Sequence, residues 1–380
     1  MKAELKALHD NETWELVSLP AGKRAIDSKW EYKVKFTPEG QVDKLKARLV
    51  ARVRHQQCIL TWVSKEEVYM KPPKGYTEAQ EGQGLDEAFT VKDLGEMRYF
   101  LGIEVARNSQ GTMLNQRKFI LDILQSTGME GCKPSRFPFP KNVKLSTDQG
   151  EILPDPETYR SIIGKLLYLN LTRPDISYSV QQLSQFMSEP RKPHLQAATH
   201  VIKYLAGTID WGLYYSIPSS LTLTAFCDSD WGSCAFSARS LTGYCVFLGN
   251  SLISWKTKKQ KTVSKSSTEA EYRCMSQTTS EIVWIHGILE DLGLHIPTPI
   301  DLFCDNKSAN HLAHNPIFHE RTKHLKVDCH YVRDHIQEGF LKVLHIKSFL
   351  QLADLMTKSL SEQHHNHLSF KLGLVPSAPT

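Results

Sequence analysis

Three short apolar runs between residues 221 and 256 constrain this chain more than any other feature. They cover 221–227, 241–248 and 251–256, each bounded by Gly, Asn or Ser, and read as antiparallel strands. A long helix follows. Ser266 with Glu269 three residues on matches a capping box, and Ile282, Ile285, Leu289 and Leu292 fall on one helical face. Beyond it the texture predicts a strand over 300–304, helical segments to 314 and over 319–338, a strand over 341–346 and a last helix from 350. This order predicts a mixed sheet with helices on its faces, an α/β arrangement that becomes α+β over the whole chain. Sites in such sheets form at the carboxyl ends of strands.

The preceding half is less regular. Trp30, Tyr32, Val34 and Phe36 alternate with charged residues, Pro38-Glu39-Gly40 supplies a turn, and 44–51 completes a predicted hairpin. Trp14, Trp30 and their neighbours read as core rather than as stacking platforms. Residues 55–65 have no period and 77–86 are polar. Order returns with a turn at Lys92-Asp93-Leu94-Gly95, a strand over 97–105 and a helix over 116–125, ended by Pro134, Pro138 and Pro140. From 158 to 207 the period is helical, with Ile162, Ile163, Leu166, Leu167 and Leu169 and then Val201, Ile202, Tyr204 and Leu205 as apolar positions. Arg173-Pro174-Asp175 separates two of these helices, Pro174 suiting a first turn.

With 380 residues, 41% of them hydrophobic, two or three domains are expected. A formal charge of +5 is too small to establish a polyanionic partner. No apolar leader and no run of eighteen apolar residues occurs, so neither secretion nor a membrane partner is expected. Eight cysteines, none spaced as C-x-x-C, suit reduced and mostly buried thiols in a cytoplasmic or nuclear protein. His311, His314, His319, His324, His330 and His335 fit no zinc spacing. The cluster His364-His365-Asn366-His367 reads as disordered surface.

Asp228 follows the first strand of the set, Asp305 follows the strand 300–304, Glu271 lies in the first turns of the long helix, and Asp354 lies in the last helix. Four carboxylates from two strand ends and two helices suit hard cations, because Mg²⁺ takes oxygen ligands, few of them from protein. By spacing alone the plainer reading leads: Asp228 and Asp305 as solvated turn residues, and Glu271 as the glutamate of a cap with Thr268.

The sequence motifs reverse that ranking. CDSDWGSC at 227–234, SLTGYCVFLG at 240–249, SWKTKKQKTVSKSSTEAEYRCMS at 254–276, CDNKSANHLAHNPIFHERTKHLKVDCHYVRD at 304–334 and LADLMTK at 352–358 occur in one order. Together they resemble the ribonuclease H domain of copia-type retrotransposon Pol polyproteins. The resemblance places Asp228, Glu271, Asp305 and Asp354 on the family's metal-binding catalytic acids, implies two Mg²⁺ ions with Mn²⁺ as a substitute, and makes an RNA–DNA hybrid the expected partner. Asp230 is a weaker candidate, not expected as a ligand. It also puts Lys256, Lys258, Lys259 and Lys261, with Lys265, beside the nucleic-acid groove, and suggests Arg321 and Lys323 as phosphate contacts and His324 as a positioning residue. For the lysines a solvated, charge-bearing turn stands as an equal alternative.

Residues 11–52, 66–76 and 89–107 resemble separate pieces of the copia-type reverse transcriptase, and 159–190 and 194–208 resemble its connecting helices. The family's Tyr-x-Asp-Asp signature is missing between these pieces, and no two aspartates are adjacent anywhere in the chain. Reverse transcription is therefore not expected, and no protease or integrase portion is expected either. The expected organisation is a fingers-like fragment over 1–76, a palm-end fragment over 77–150, a helical connection over 151–216, a ribonuclease H-like domain over 217–362 and a tail over 363–380. The expected function is metal-dependent hydrolysis of RNA in RNA–DNA hybrids, the alternative a catalytically inactive nucleic-acid-binding relic.

Overall fold

The structure is a computed structural model. It describes residues 97–376 apart from 141, 142, 144, 218, 219, 235 and 316–325, together with the backbone of five strands within the first 86 residues. The chain divides into two compact units, Met1–Gly95 and Glu96–Thr380. The first holds β1 (Glu15–Ser18), β2 (Asp27–Phe36), β3 (Val42–Arg52), β4 (Tyr69–Met70) and β5 (Gln83–Asp86). β2 and β3 pair antiparallel with Tyr32 opposite Ala47, the hairpin that the alternation predicts. β5 lies between β1 and β4 in a separate sheet. The expected core roles of Trp14 and Trp30 concern side chains outside the described residues.

The second unit opens with β6 (Tyr99–Phe100), β7 (Ile103–Asn108) and β8 (Gly111–Asn115). The predicted single strand over 97–105 is thus a hairpin. Phe100 pairs with Ile103, and Leu101 and Gly102 between them take left-handed φ values of 49° and 80°, the conformation a two-residue hairpin turn demands. Helices α1 (Arg117–Ser126), α2 (Pro156–Leu169), α3 (Ser177–Ser184) and α4 (Lys192–Ala206) follow. Asp155 caps α2 by accepting from the Glu157 amide at 3.0 Å, with Pro156 in the first turn. The predicted apolar face of α2 packs with Ile120 and Ile123 of α1 and with Val201, Ile202 and Leu205 of α4. Leu167, read as part of that face, is exposed.

A short 3₁₀ turn, Pro174–Ile176, joins α2 to α3. Arg173 is fully buried beside it, pairing with both carboxylate oxygens of Asp175 at 2.9 and 2.7 Å and donating to the Thr208 carbonyl and hydroxyl. The Tyr204 hydroxyl donates to the same carboxylate at 2.6 Å. Burial disfavours the charged carboxylate of Asp175, yet the Arg173 guanidinium outweighs it and holds the group below the usual carboxylate range.

After β9 (Gly212–Ser216) comes a five-stranded sheet built from β10 (Leu223–Asp230), β11 (Leu241–Leu248) and β12 (Ser251–Lys259), then helix α5 (Ser267–Asp291), β13 (Ile300–Cys304), helices α6 (Lys307–His314) and α7 (Lys326–Gln337), and β14 (Leu341–His345). The strand order is β12-β11-β10-β13-β14, with β10, β11 and β12 antiparallel and β13 and β14 parallel to β10. This is the mixed α/β sheet that the sequence predicts. Ser266 caps α5 by accepting from the Glu269 amide, while the Glu269 carboxylate takes the Lys265 amide at 2.9 Å. Tyr272, Met275, Ile282, Ile285 and Leu289 of α5 are buried against the sheet, each larger side chain contributing about 1.5–3 kcal/mol. Leu292, predicted on this face, is instead the exposed C-cap, followed by Gly293 at φ 76°.

Helix α8 (Asp354–Thr357), helix α9 (Glu362–Lys371) and β15 (Leu374–Val375) complete the unit. The histidine cluster expected as disordered surface lies on α9. His365 is buried, donates from its ring to the Asp175 carbonyl at 3.2 Å and packs edge-on against Tyr204. Leu368, Leu372 and Leu374 join a core with Leu213 and Leu355, and β15 pairs with β9. The expected tail is packed structure through residue 376 because its leucines close this core. Among the described residues no helix is long and apolar enough to cross a membrane, and six of the seven free cysteines are buried.

Candidate active site

The parallel pairing of β10 with β13 sets Phe226 opposite Phe303. Continuing that register brings Cys227 opposite Cys304, so Asp228 and Asp305 emerge side by side at the carboxyl edge of the sheet. Asp305 is fixed from behind: Asn306 caps α6 through the Ala309 amide, and the Asn310 side-chain amide donates to the Cys304 carbonyl at 3.0 Å. Glu271 is buried one turn into α5. It caps nothing, because Ser266 and Glu269 perform that role, and the plainer reading of Glu271 does not hold. Oxygen atoms of Glu271 and Asp305 and the sulfur of Cys304 lie within 4.8 Å of one another.

Asp354 reaches the same edge through a close approach that sequence reasoning missed. Gly243 on β11 stands opposite Asp228, and a Cβ there would sit 2.5 Å from the Thr357 side chain and 2.7 Å from Met356. Only glycine lets α8 lie this near the sheet. The loop before α8 is tied down as well, since buried Gln351 donates to the Cys227 carbonyl at 3.0 Å and accepts from the Ala353 amide. Buried Gln260 links the Thr242 hydroxyl to the Ala270 carbonyl and so sets the start of α5. A glycine or glutamine inside a strand-like run carries no chemical signature of such a role.

The electrostatics follow from this crowding. Burial pushes the Asp228 carboxyl up, opposed by the Lys358 ammonium 3.1 Å away and the Thr357 hydroxyl, which donates to its other oxygen. Burial and then the Asp228 charge raise Glu271 well above its ordinary range. The same two causes raise Asp354 to about 7, although Lys358 lies 2.6 Å from it. The field of Asp305 is felt at Asp228, Glu271 and Asp354. The structure thus gathers all four predicted acids into one mutually repelling cluster. Asp230, further along β10, is raised by burial and by Asp228.

Between β12 and α5, Lys256, Lys258, Lys259 and Lys261 line a groove of about 580 Å³ with Thr262, Arg273, Gln277, Ser280, Glu281 and Asp328, and none of the four acids lines it. Lys256 and Lys258 alternate along β12 and are exposed. Lys259 differs: its ammonium donates to Gln185 at 2.7 Å and sits 4.5 Å from the Phe236 ring. Trp231, half-exposed, is anchored by its indole N–H to the Ser264 carbonyl at 2.9 Å. Arg321, Lys323 and His324 lie outside the described residues.

A sheet in this strand order with acids gathered at its carboxyl edge defines a ribonuclease H-like domain. The chain belongs to the Pol polyproteins of copia-type retrotransposons. It is 45% identical over 296 residues to the retrovirus-related Pol polyprotein from transposon RE1 of Arabidopsis thaliana, a match covering 78% of this chain and 20% of that protein. It is 35% identical to the putative transposon Ty5-1 protein of Saccharomyces cerevisiae, covering 55% of this chain and 68% of that one. The chain therefore spans about a fifth of the length of the Arabidopsis polyprotein. No family model matches. Among solved structures, the N-terminal RNase H domain of Rv2228c from Mycobacterium tuberculosis aligns at 11% identity, covering 40% of this chain and 98% of that one with a TM-score of 0.28. That score is too low to carry weight beside the strand order itself.

Proposed function

We propose that the domain formed around β10 to α8 is a metal-dependent ribonuclease H that hydrolyses the RNA strand of an RNA–DNA hybrid. The observation that carries this reading is the convergence of Asp228, Glu271, Asp305 and Asp354 on one sheet edge, each from a different element. Asp228, Glu271 and Asp354 are buried with Asp305 half-buried beside them, and Lys358 answers only two of these four carboxylates, an excess of negative charge that a bound cation would offset. The donor set fits a hard divalent ion such as Mg²⁺, or Mn²⁺ in its place, since all four predicted ligands offer oxygen. When bound, a pair of such ions supplies a nucleophilic water and charge stabilisation at the phosphodiester.

The chain's own residues prepare that chemistry. Asn310, Gln351, Gln260 and Gly243 hold the acid-bearing elements in register. Lys256 and Lys258 face the groove with free reach to phosphates, which makes binding salt-dependent. Lys261 lines the same groove, whereas Lys259 serves the contact with Gln185. A hybrid is recognised there by shape and by the 2′-hydroxyls of its RNA strand. Polymerisation is no part of this proposal, because no adjacent pair of aspartates occurs in the chain.

The test is cleavage of a labelled RNA–DNA hybrid with Mg²⁺ by the full chain and by an Asp228→Asn variant, with single-stranded and duplex RNA alongside. Hybrid-specific cutting lost in the variant is the expected result. Absence of cutting by a folded sample that still binds the hybrid would leave a binding-only relic.

A further inference from the structure

Lys358 lies between two of the four acids. Its ammonium is 3.1 Å from Oδ1 of Asp228 and 2.6 Å from Oδ1 of Asp354, while the Thr357 hydroxyl takes the other oxygen of Asp228. The two carboxylate side chains are 1% and 8% exposed, the lysine 36%. The geometry is local to one short element: Asp354 opens α8 and Lys358 follows its last residue, so the i,i+4 spacing stacks the lysine over the aspartate. Among the described residues, Lys358 is the one lysine or arginine ion-paired with any of the four acids. The opposite end of the cluster, Glu271 and Asp305, has Cys304 as its neighbour instead.

We propose that Lys358 is a resident competitor for divalent metal at the Asp228–Asp354 pair; this rests on the metal-site reading above. The oxygens it holds are those a metal there would need, and two cations cannot share them at bonding distance. Metal uptake at this end is therefore an exchange, in which the ammonium withdraws along its flexible, one-third-exposed stem toward solvent. Lysine suits this role better than arginine, whose planar fork would remain bidentate on the carboxylates. The cluster then has two unequal ends: one at Glu271 and Asp305 that takes metal without competition, and one at Asp228 and Asp354 whose affinity the lysine lowers. The lysine meanwhile relieves repulsion between two buried carboxylates, so the same contact that weakens metal binding supports the fold.

The experiment is Mn²⁺ binding to the full chain, followed by electron paramagnetic resonance of the free ion and by calorimetry, with circular dichroism confirming the fold. Lys358→Gln is expected to tighten the weaker class of Mn²⁺ roughly tenfold, about the value of one strong charge contact. Lys358→Arg is expected to leave that class as weak as in the parent chain or weaker. In an Asp354→Asn background, Lys358→Gln is expected to change nothing. Unchanged or weaker Mn²⁺ binding by folded Lys358→Gln overturns the proposal. Should that variant not fold, the parent chain decides: acylation of Lys358 by an N-hydroxysuccinimide ester, read by mass spectrometry, rises several-fold on adding Mn²⁺ if the ammonium is released, and a constant or falling rate overturns the exchange. If neither the parent chain nor any variant binds Mn²⁺, the metal-site reading itself fails and the proposal with it. If Asp305→Asn weakens binding but Lys358→Gln does not strengthen it, only the proposal fails.

Discussion

Two clusters of buried charge in the second unit obey opposite rules. Around Asp175 every charge has its counterpart: Arg173 pairs with both carboxylate oxygens, Tyr204 adds a donor, and His365 closes the far side on the Asp175 backbone. Around Asp228 four acids gather and, among the described residues, Lys358 pairs with two of them, Asp228 and Asp354. Burial is nearly the same in both places, yet Asp175 is held below the usual carboxylate range while Asp228, Glu271 and Asp354 are pushed above it. The difference teaches that burial alone does not mark a site; the ratio of like charges to partners does. The first cluster is a clamp that joins the helical connection to α9. The second is a cluster of like charges with fewer partners than acids.

The largest effects should separate the two clusters outright. Asp305→Asn is expected to reduce hybrid cleavage on the order of a hundredfold or more while leaving the fold intact. Arg173→Met, which strands the Asp175 carboxylate in a dry interior, is expected to cost about 3–5 kcal/mol of stability. Cleavage kinetics paired with denaturant melts check both, and an Arg173→Met chain as stable as the parent would break the comparison.

Gly243→Val should couple the clusters' properties, because its side chain must push α8 away from the sheet. A loss of about 1–3 kcal/mol from overpacking is expected. Cleavage should fall further than stability does, since Asp354 moves with α8. Activity measured at a temperature where the variant is fully folded separates the two contributions; full activity there would show that α8 tolerates displacement.

The pH dependence of stability, measured in a chelator, should carry opposite signs. Asp175 is depressed in the fold, so its contribution is complete above the unfolded carboxylate pKa of about 3.9 and is lost as pH falls through the folded value. Asp228, Glu271 and Asp354 are raised, so their contribution is complete below the unfolded pKa of about 4 and is lost as pH rises through their folded values, about 7 for Asp354. Asp354→Asn is therefore expected to flatten the decline in melting temperature between pH 5 and 8, and to stabilise the chain at pH 8. An unaltered slope would show that Asp354 does not carry this dependence.

The smallest effects belong to the groove. Lys256→Ala and Lys258→Ala should each lower the salt slope of hybrid binding by about one unit while scarcely changing stability. Lys259→Ala, whose ammonium is engaged by Gln185, should change the slope less. Equal slopes for all three would show that Lys259 leaves Gln185 to meet the hybrid.

Part of this arrangement could be read directly from residues. The strands before the long helix, the cap at Ser266, and the placement of Asp228 and Asp305 after apolar runs are local patterns, and the fold keeps each of them. The hairpin at Leu101-Gly102 escaped because one glycine after an apolar run does not announce a reversal. β9 and β15 escaped because each is too short to show a period and is held by its partner strand. Helix α9 escaped because His365 and its leucines acquire a buried face only once β9 and α4 are present.

What the sequence by itself determined is the identity of the chemistry: carboxylates at strand ends and lysines on alternating positions of β12, each specified by side-chain type and local spacing. Only the tertiary structure decided which of those groups meet. The closeness of α8 to β11 rests on the missing side chain of Gly243, the pairing of Arg173 with a network reaching Thr208 and His365, and the insertion of Lys358 between Asp228 and Asp354. These are contacts between residues up to 190 positions apart. Periodicity reports the environment of one element, whereas the energy of a buried charge depends on every neighbour that the completed fold brings to it.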